Sequence, residues 1–126
     1  MKILLVDDDA FLRDMYATKF GEHDHEVDAC DNAVMATSKL EKGTEYDVVL
    51  LDMIMPGMTG IEFIQNAKEQ FPKAKAKYIV LSNQGQEEDV AAAKQAGAIG
   101  YIIKAESVPS EVVKKVETLM KNSYGS

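Results

Sequence analysis

Apolar residues in this chain come in short unbroken runs that alternate with stretches of helical spacing. The clearest runs are Ile3-Leu4-Leu5-Val6, Val48-Val49-Leu50-Leu51, Tyr78-Ile79-Val80-Leu81 and Ile99-Gly100-Tyr101-Ile102-Ile103. A run without polar alternation reads as a strand covered on both faces, as in a parallel sheet. The pattern predicts strands over residues 2–6, 25–30, 46–51, 77–81 and 99–103.

Between them the apolar positions fall at helical intervals. A first helix carries Phe11, Leu12, Met15 and Phe20, one of Asp7, Asp8 and Asp9 caps it, and Gly21 stops it. A second, capped by Asp31 or Asn32 and stopped by Gly43, turns Ala33, Val34, Thr37 and Leu40 inward. Thr59-Gly60-Ile61-Glu62 has the form of a capping box, and the helix it opens shows Ile61, Phe63, Ile64 and Ala67 and ends before Pro72. An alanine-rich helix over 87–95 faces inward with Val90, Ala93 and Ala96, and Gly97 terminates it. The last helix starts near Pro109, packs with Val112, Val113, Val116, Leu119 and Met120, and frays from Asn122 to Ser126. Five strands alternating with five helices imply an α/β fold, a doubly wound five-stranded parallel sheet with helices on both faces.

The strand ends carry the chemistry. Asp7 and Asp8 follow the first strand, Asp52 the third, Ser82 the fourth and Lys104 the fifth. Ligands bind at the carboxyl edge of such sheets, and the strand order 2-1-3-4-5 sets strands one and three side by side there. Three carboxylates in one place call for a cation, and a hard divalent ion such as Mg²⁺ suits oxygen ligands. The Lys104 ammonium and Ser82 hydroxyl suit an anion arriving beside it, and a phosphoryl group fits. Asp52, alone at a central strand end, is the best nucleophile, since a carboxylate can form an acyl phosphate. Taken singly, Asp8 or Asp9 could be only a helix cap and Asp52 an ordinary loop acid. Their joint placement favours the site.

Composition narrows the rest. The 126 residues suit one domain, and 46% hydrophobic content supplies a core. Formal net charge is −7, which argues against nucleic-acid binding by this domain. No apolar stretch approaches the roughly 20 residues that span a bilayer, and the N-terminus has no signal-peptide pattern. The lone cysteine, Cys30, reads as a core residue, His23 and His25 lie in a polar turn, and no zinc pattern or phosphate-binding glycine loop occurs. Met53, Met55 and Met58 read as packing around the turn after Asp52.

The chain resembles the receiver domain of bacterial two-component response regulators, the family of the chemotaxis response regulator, over residues 2 to about 121. The resemblance rests on Ile3-Leu4-Leu5-Val6-Asp7-Asp8-Asp9, on Leu51-Asp52-Met53-Ile54-Met55-Pro56-Gly57-Met58-Thr59-Gly60, on Val80-Leu81-Ser82-Asn83, and on Gly97-Ala98-Ile99-Gly100-Tyr101-Ile102-Ile103-Lys104. It implies a flavodoxin-like fold, a receiver domain over residues 1–122 and a short tail or linker stub at 123–126. It implies Asp52 as phosphoacceptor, and Mg²⁺, or Mn²⁺ in its place, held by Asp7, Asp8, Asp52 and the Ile54 carbonyl. Ser82 and Lys104 would engage the phosphoryl group, Ser82 and Tyr101 would form the switch, and Ile54, Asn83 and Gln84 would tune phosphoryl lifetime. The implied partners are a histidine kinase or phosphotransfer protein and an unidentified output domain or protein, and the implied location is the cytoplasm.

Two departures qualify this. Ala105 follows Lys104 where many receivers have a cis proline, so that loop should be all trans. Ile99 and Gly100 stand where the winged-helix class carries acids that bridge a dimer, so at most a weak homodimer through helix 4, strand 5 and helix 5 is expected. Three rival functions are a phosphorylation-independent binding module, which would have lost an acid or the lysine, a Mg-dependent aspartyl phosphatase or phosphotransferase, and a flavodoxin-like cofactor domain, against which the missing phosphate-binding loop counts. The second would need a cap and a second acid near position 54, which is isoleucine. The expected protein is thus a signalling switch and not an enzyme acting on small molecules.

Overall fold

The computed structural model describes residues 1–124. Five strands form one parallel sheet: β1 (Lys2–Val6), β2 (Glu26–Cys30), β3 (Val48–Leu51), β4 (Lys77–Ser82) and β5 (Ala98–Ile103). Their order is β2-β1-β3-β4-β5, the doubly wound order expected from the sequence. The helices are α1 (Ala10–Glu22), α2 (Ala33–Glu41), α3 (Gly60–Gln70), α4 (Glu87–Ala96) and α5 (Pro109–Tyr124).

The unbroken apolar runs are explained by burial on both faces. Leu4, Val6, Val49, Leu51, Tyr78 and Val80 pack with Ala36 of α2, Phe63 and Ile64 of α3 and Ala93 of α4. The intervening Ile3, Leu5, Val48, Leu50, Ile79 and Leu81 pack with Tyr16 and Phe20 of α1 and Val112, Val113 and Val116 of α5. Successive strand residues point to opposite faces, so each strand feeds two cores. Among the described residues, no helix is long and apolar enough to cross a membrane.

Helix starts follow the expected chemistry. Asp9 caps α1 through Leu12 N–H, Asn32 caps α2 through Met35 N–H, and Thr59 and Glu62 close a reciprocal capping box on α3. α4 ends on Gly97 in the left-handed conformation (φ 115°). Elsewhere the expectations need correction. α1 runs through Gly21 to Glu22, because glycine lowers helix propensity without ending a helix whose other residues pack. α5 continues to Tyr124, past the predicted fraying at Asn122, and residues 125–126 of the predicted tail lie outside the described residues. Phe11 and Val34, expected inward, are 76% and 78% exposed. The buried stripes are instead Tyr16 and Phe20 on α1 and Ala33, Ala36 and Leu40 on α2. β3 starts at Val48, two residues later than predicted. His25, placed by sequence in a polar turn, is largely buried and bonds both Glu117 of α5 (2.8 Å) and the N-terminal amine (3.0 Å).

Two small elements had no sequence signal. Ile54–Met55 and Met58–Thr59 form a two-stranded antiparallel ribbon turned by Gly57 (φ 85°). Lys104–Glu106 form a single turn of 3₁₀ helix. No peptide bond among the described residues is cis, in keeping with Ala105 after Lys104.

Candidate functional site

Strand register brings the polar residues together. Val6 pairs with Leu51 across β1 and β3, so the next residues, Asp7 and Asp52, leave the sheet side by side. Leu51 pairs with Val80, and Ser82 with Ile103, which sets Ser82 and Lys104 on the other flank of Asp52. The backbone continues the ladder one step beyond each strand: Asp7 N–H donates to the Cys30 carbonyl (3.1 Å) and Asp52 N–H to that of Val6 (3.3 Å).

Asp52 is the hub. Its Oδ1 accepts from the Ser82 hydroxyl at 2.7 Å and from Ile54 N–H at 3.2 Å, and its Oδ2 accepts from Lys104 Nζ at 2.8 Å. Lys104 also donates to Asp7 Oδ2 at 2.7 Å, and Asp9 N–H caps Asp7 Oδ1 at 3.0 Å. Ser82 accepts in turn from Gln84 N–H (3.2 Å), and the Tyr101 hydroxyl donates to the Gln84 carbonyl. Gly60 is required here: a Cβ on it would lie 2.5 Å from the Asp52 carbonyl oxygen, where α3 starts against the end of β3.

The acids fit a cation. One carboxylate oxygen each from Asp7, Asp8 and Asp52 lies within 4.8 Å of the others. Asp7 is buried, Asp52 half-buried and Asp8 exposed. One ammonium among three carboxylates leaves excess negative charge, and a divalent cation with oxygen ligands suits that set. Burial alone would lower the Lys104 pKa, but hydrogen bonds to Asp52 and Asp7, with the charge of both acids, hold it above its ordinary value. The Tyr101 phenol is raised by burial first and by the negative charge of Asp89 next.

The predicted residues Asp7, Asp8, Asp52, Ser82 and Lys104 thus meet at one edge, and Tyr101 reaches them through Gln84. The Ile54 side chain is 59% exposed beside Asp52, and Asn83 and Gln84 are exposed on the loop after Ser82. Sequence reasoning missed two neighbours on α1. Arg13 donates through Nη1 to the Asp7 carbonyl at 2.9 Å. Tyr16 is buried, and its phenol is raised by that burial and feels the charges of Lys104, Asp7 and Asp52. Arg13 had one signal, as the only arginine in the chain, six residues after the first acid.

Comparison with known proteins agrees with this geometry. The response regulator receiver domain family matches residues 3–117. The chemotaxis protein CheY of Halobacterium salinarum is 37% identical over 109 residues, which cover 86% of this chain and 88% of that protein. The transcriptional regulatory protein ResD of Bacillus subtilis is 35% identical over 124 residues, 97% of this chain but 49% of its own length. The chain spans about half the length of several such relatives, among them the response regulator PhoP of Pseudomonas aeruginosa at 54%. Among solved structures, a CheY-like receiver domain protein from Methanospirillum hungatei superposes with a TM-score of 0.86 at 25% identity, covering 98% of this chain and 96% of that one. The chemotaxis response regulator CheY4 of Vibrio cholerae gives 0.82 at 27% identity, covering 94% and 97%. The chain belongs to the response regulator receiver domain family of two-component signalling. It is a signalling module of the kind that family defines, with an acidic cluster able to hold a divalent metal.

Proposed function

We propose that Asp52 accepts a phosphoryl group from a phosphohistidine on a histidine kinase or phosphotransfer protein. The observation that carries this is the Asp52 carboxylate itself, with Ser82 and Lys104 donating to its two oxygens and Asp7 and Asp8 beside it. A carboxylate oxygen of Asp52 attacks phosphorus; the new P–O bond forms as the P–N bond to imidazole breaks, and the imidazole leaves and takes a proton from solvent. Asp7, Asp8, Asp52 and the Ile54 carbonyl would hold Mg²⁺, which when bound would supply positive charge to the phosphoryl oxygens. Mn²⁺ would serve in its place.

The chain's own donors do the remaining work. Lys104 and the Ser82 hydroxyl, now on Asp52, transfer to phosphoryl oxygens and stabilise their charge. Moving Ser82 pulls on Gln84, and the Tyr101 hydroxyl holds the Gln84 carbonyl. Tyr101 therefore reports the phosphoryl group to the face of α4, β5 and α5. A shift in the population of that face is the output, read by a separate domain or protein. The receiver spans residues 1–122, with α5 running on to Tyr124, and the protein works in the cytoplasm with at most weak self-association through that face.

The test is incubation with a small phosphodonor and Mg²⁺, read by intact mass. The native chain gains one phosphoryl group and Asp52→Asn gains none. Equal labelling of the two would refute the assignment of Asp52.

A further inference from the structure

We infer that Arg13 is a positioning residue for the acidic edge: it locks the peptide unit that joins Asp7 to Asp8 and so sets where Asp8 presents its carboxylate. The inference rests on the metal-dependent reading above.

Every polar group of Asp7 is held by the protein. Its N–H goes to the Cys30 carbonyl, its carbonyl accepts from Arg13, Oδ1 accepts from Asp9 N–H and Oδ2 from Lys104. Asp8 is the opposite case. It lies beyond the β1 ladder and before α1, it is exposed, and it makes no hydrogen bond among those of the described residues. An acid with free lone pairs beside two tethered ones is the member of the cluster most open to a cation. Its position depends on the peptide plane before it, and the hydrogen bond from Arg13 to the Asp7 carbonyl fixes that plane at 2.9 Å.

The residue type suits the task. Of 14 basic residues, 13 are lysine and one is arginine. Arginine stays charged and donates from a rigid planar fork, whereas lysine offers a mobile point charge. Arg13 sits one turn into α1, and α1 is anchored by buried Tyr16 and Phe20. The arginine therefore refers the acidic loop to a helix that the core holds still. Outer partners that orient metal ligands typically change metal affinity by about 10- to 100-fold when removed.

The sign of the effect separates positioning from simple charge. Arg13 is a cation near a cation site, so as a bare charge its loss would tighten divalent-ion binding. As a positioning residue its loss weakens it. Mg²⁺ titration of the full chain by calorimetry should show Arg13→Ala binding about tenfold more weakly than the native chain. Arg13→Lys, which keeps the repelling charge but loses the fork, should bind no more tightly than Arg13→Ala. Thermal melts without metal should differ little among the three, and Arg13→Gln replaces Arg13→Ala if that variant folds poorly. Unchanged or tighter Mg²⁺ binding in the variants overturns the inference. Failure of the native chain to bind Mg²⁺ or to take a phosphoryl group overturns the parent reading instead, so the two failures are distinct.

Discussion

Lys104 Nζ stands 2.8 Å from Asp52 Oδ2, a bond between the ends of a central and an edge strand and across 52 residues of sequence. The same ammonium reaches Asp7 at 2.7 Å. It therefore stabilises an arrangement of acids that would otherwise repel each other. Lys104→Met should destabilise the chain by about 3 kcal/mol in chemical denaturation, because buried Asp7 is left against Asp52 without a counter-charge. Added Mg²⁺ should restore part of that loss. The pH dependence follows from the raised Lys104 pKa. A raised folded value means that the stabilisation is complete below the ordinary lysine value of 10.5 and is lost as pH climbs through the higher folded value. Native stability should thus show an alkaline loss that Lys104→Met lacks. Equal alkaline behaviour would contradict the pairing.

Asp8 makes the opposite prediction. It carries a charge near two like charges and has no partner, so Asp8→Asn should raise stability without metal by about 0.5–1 kcal/mol. On the proposed Mg²⁺ site the same change should remove a ligand and abolish the rise in melting temperature expected when Mg²⁺ is added to the native chain. Thermal melts with and without Mg²⁺ read both effects.

Gly60 sets the distance between α3 and the end of β3. Gly60→Ala forces a Cβ to within 2.5 Å of the Asp52 carbonyl oxygen, an overlap of backbone that no rotamer relieves. A loss of about 1–3 kcal/mol is expected in urea unfolding, with slower phosphorylation because the same shift moves Asp52.

Cys30 is 3% exposed, and burial pushes its thiol up to about 11. The folded chain should resist alkylation by iodoacetamide at pH 8, and urea should release the reaction, as thiolate and access both return. Fast labelling of the folded chain would contradict its place in the core.

Ile54 presents an apolar side chain beside Asp52 and cannot orient a water for attack on an acyl phosphate. The phosphorylated chain with Mg²⁺ should keep its label for minutes or longer, and Ile54→Asn should shorten that time several-fold. A native lifetime of seconds would contradict this.

The residues that could be read from sequence were those whose role is local or strand-periodic. The run Val48 to Leu51 announced a strand buried on both faces, and Asp52 announced its end. Thr59 and Glu62 announced a capping box. The strand ends then placed the site once the order of strands was chosen, because register alone aligns Asp7 with Asp52. Phe11 and Val34 were misjudged because exposed apolar residues carry no periodic signature that separates them from buried ones. Arg13 escaped because its partner is a backbone carbonyl, and a side chain's reach to another loop leaves no mark in spacing. His25 escaped for the same reason, since its partners lie in the N-terminus and in α5. The ribbon around Gly57 was too short for any hydrophobic period to show.

The central claim is that the phosphoryl group sits on Asp52, and reductive trapping tests it most directly. Borohydride cleaves an acyl phosphate and leaves an alcohol at the labelled carbon, so the modified residue can be located by peptide mass mapping. After phosphorylation with a small phosphodonor and Mg²⁺, the account predicts one reduced side chain, at position 52, and none without the phosphodonor. Reduction at Asp7, Asp8 or any other acid, or none at all, would contradict it.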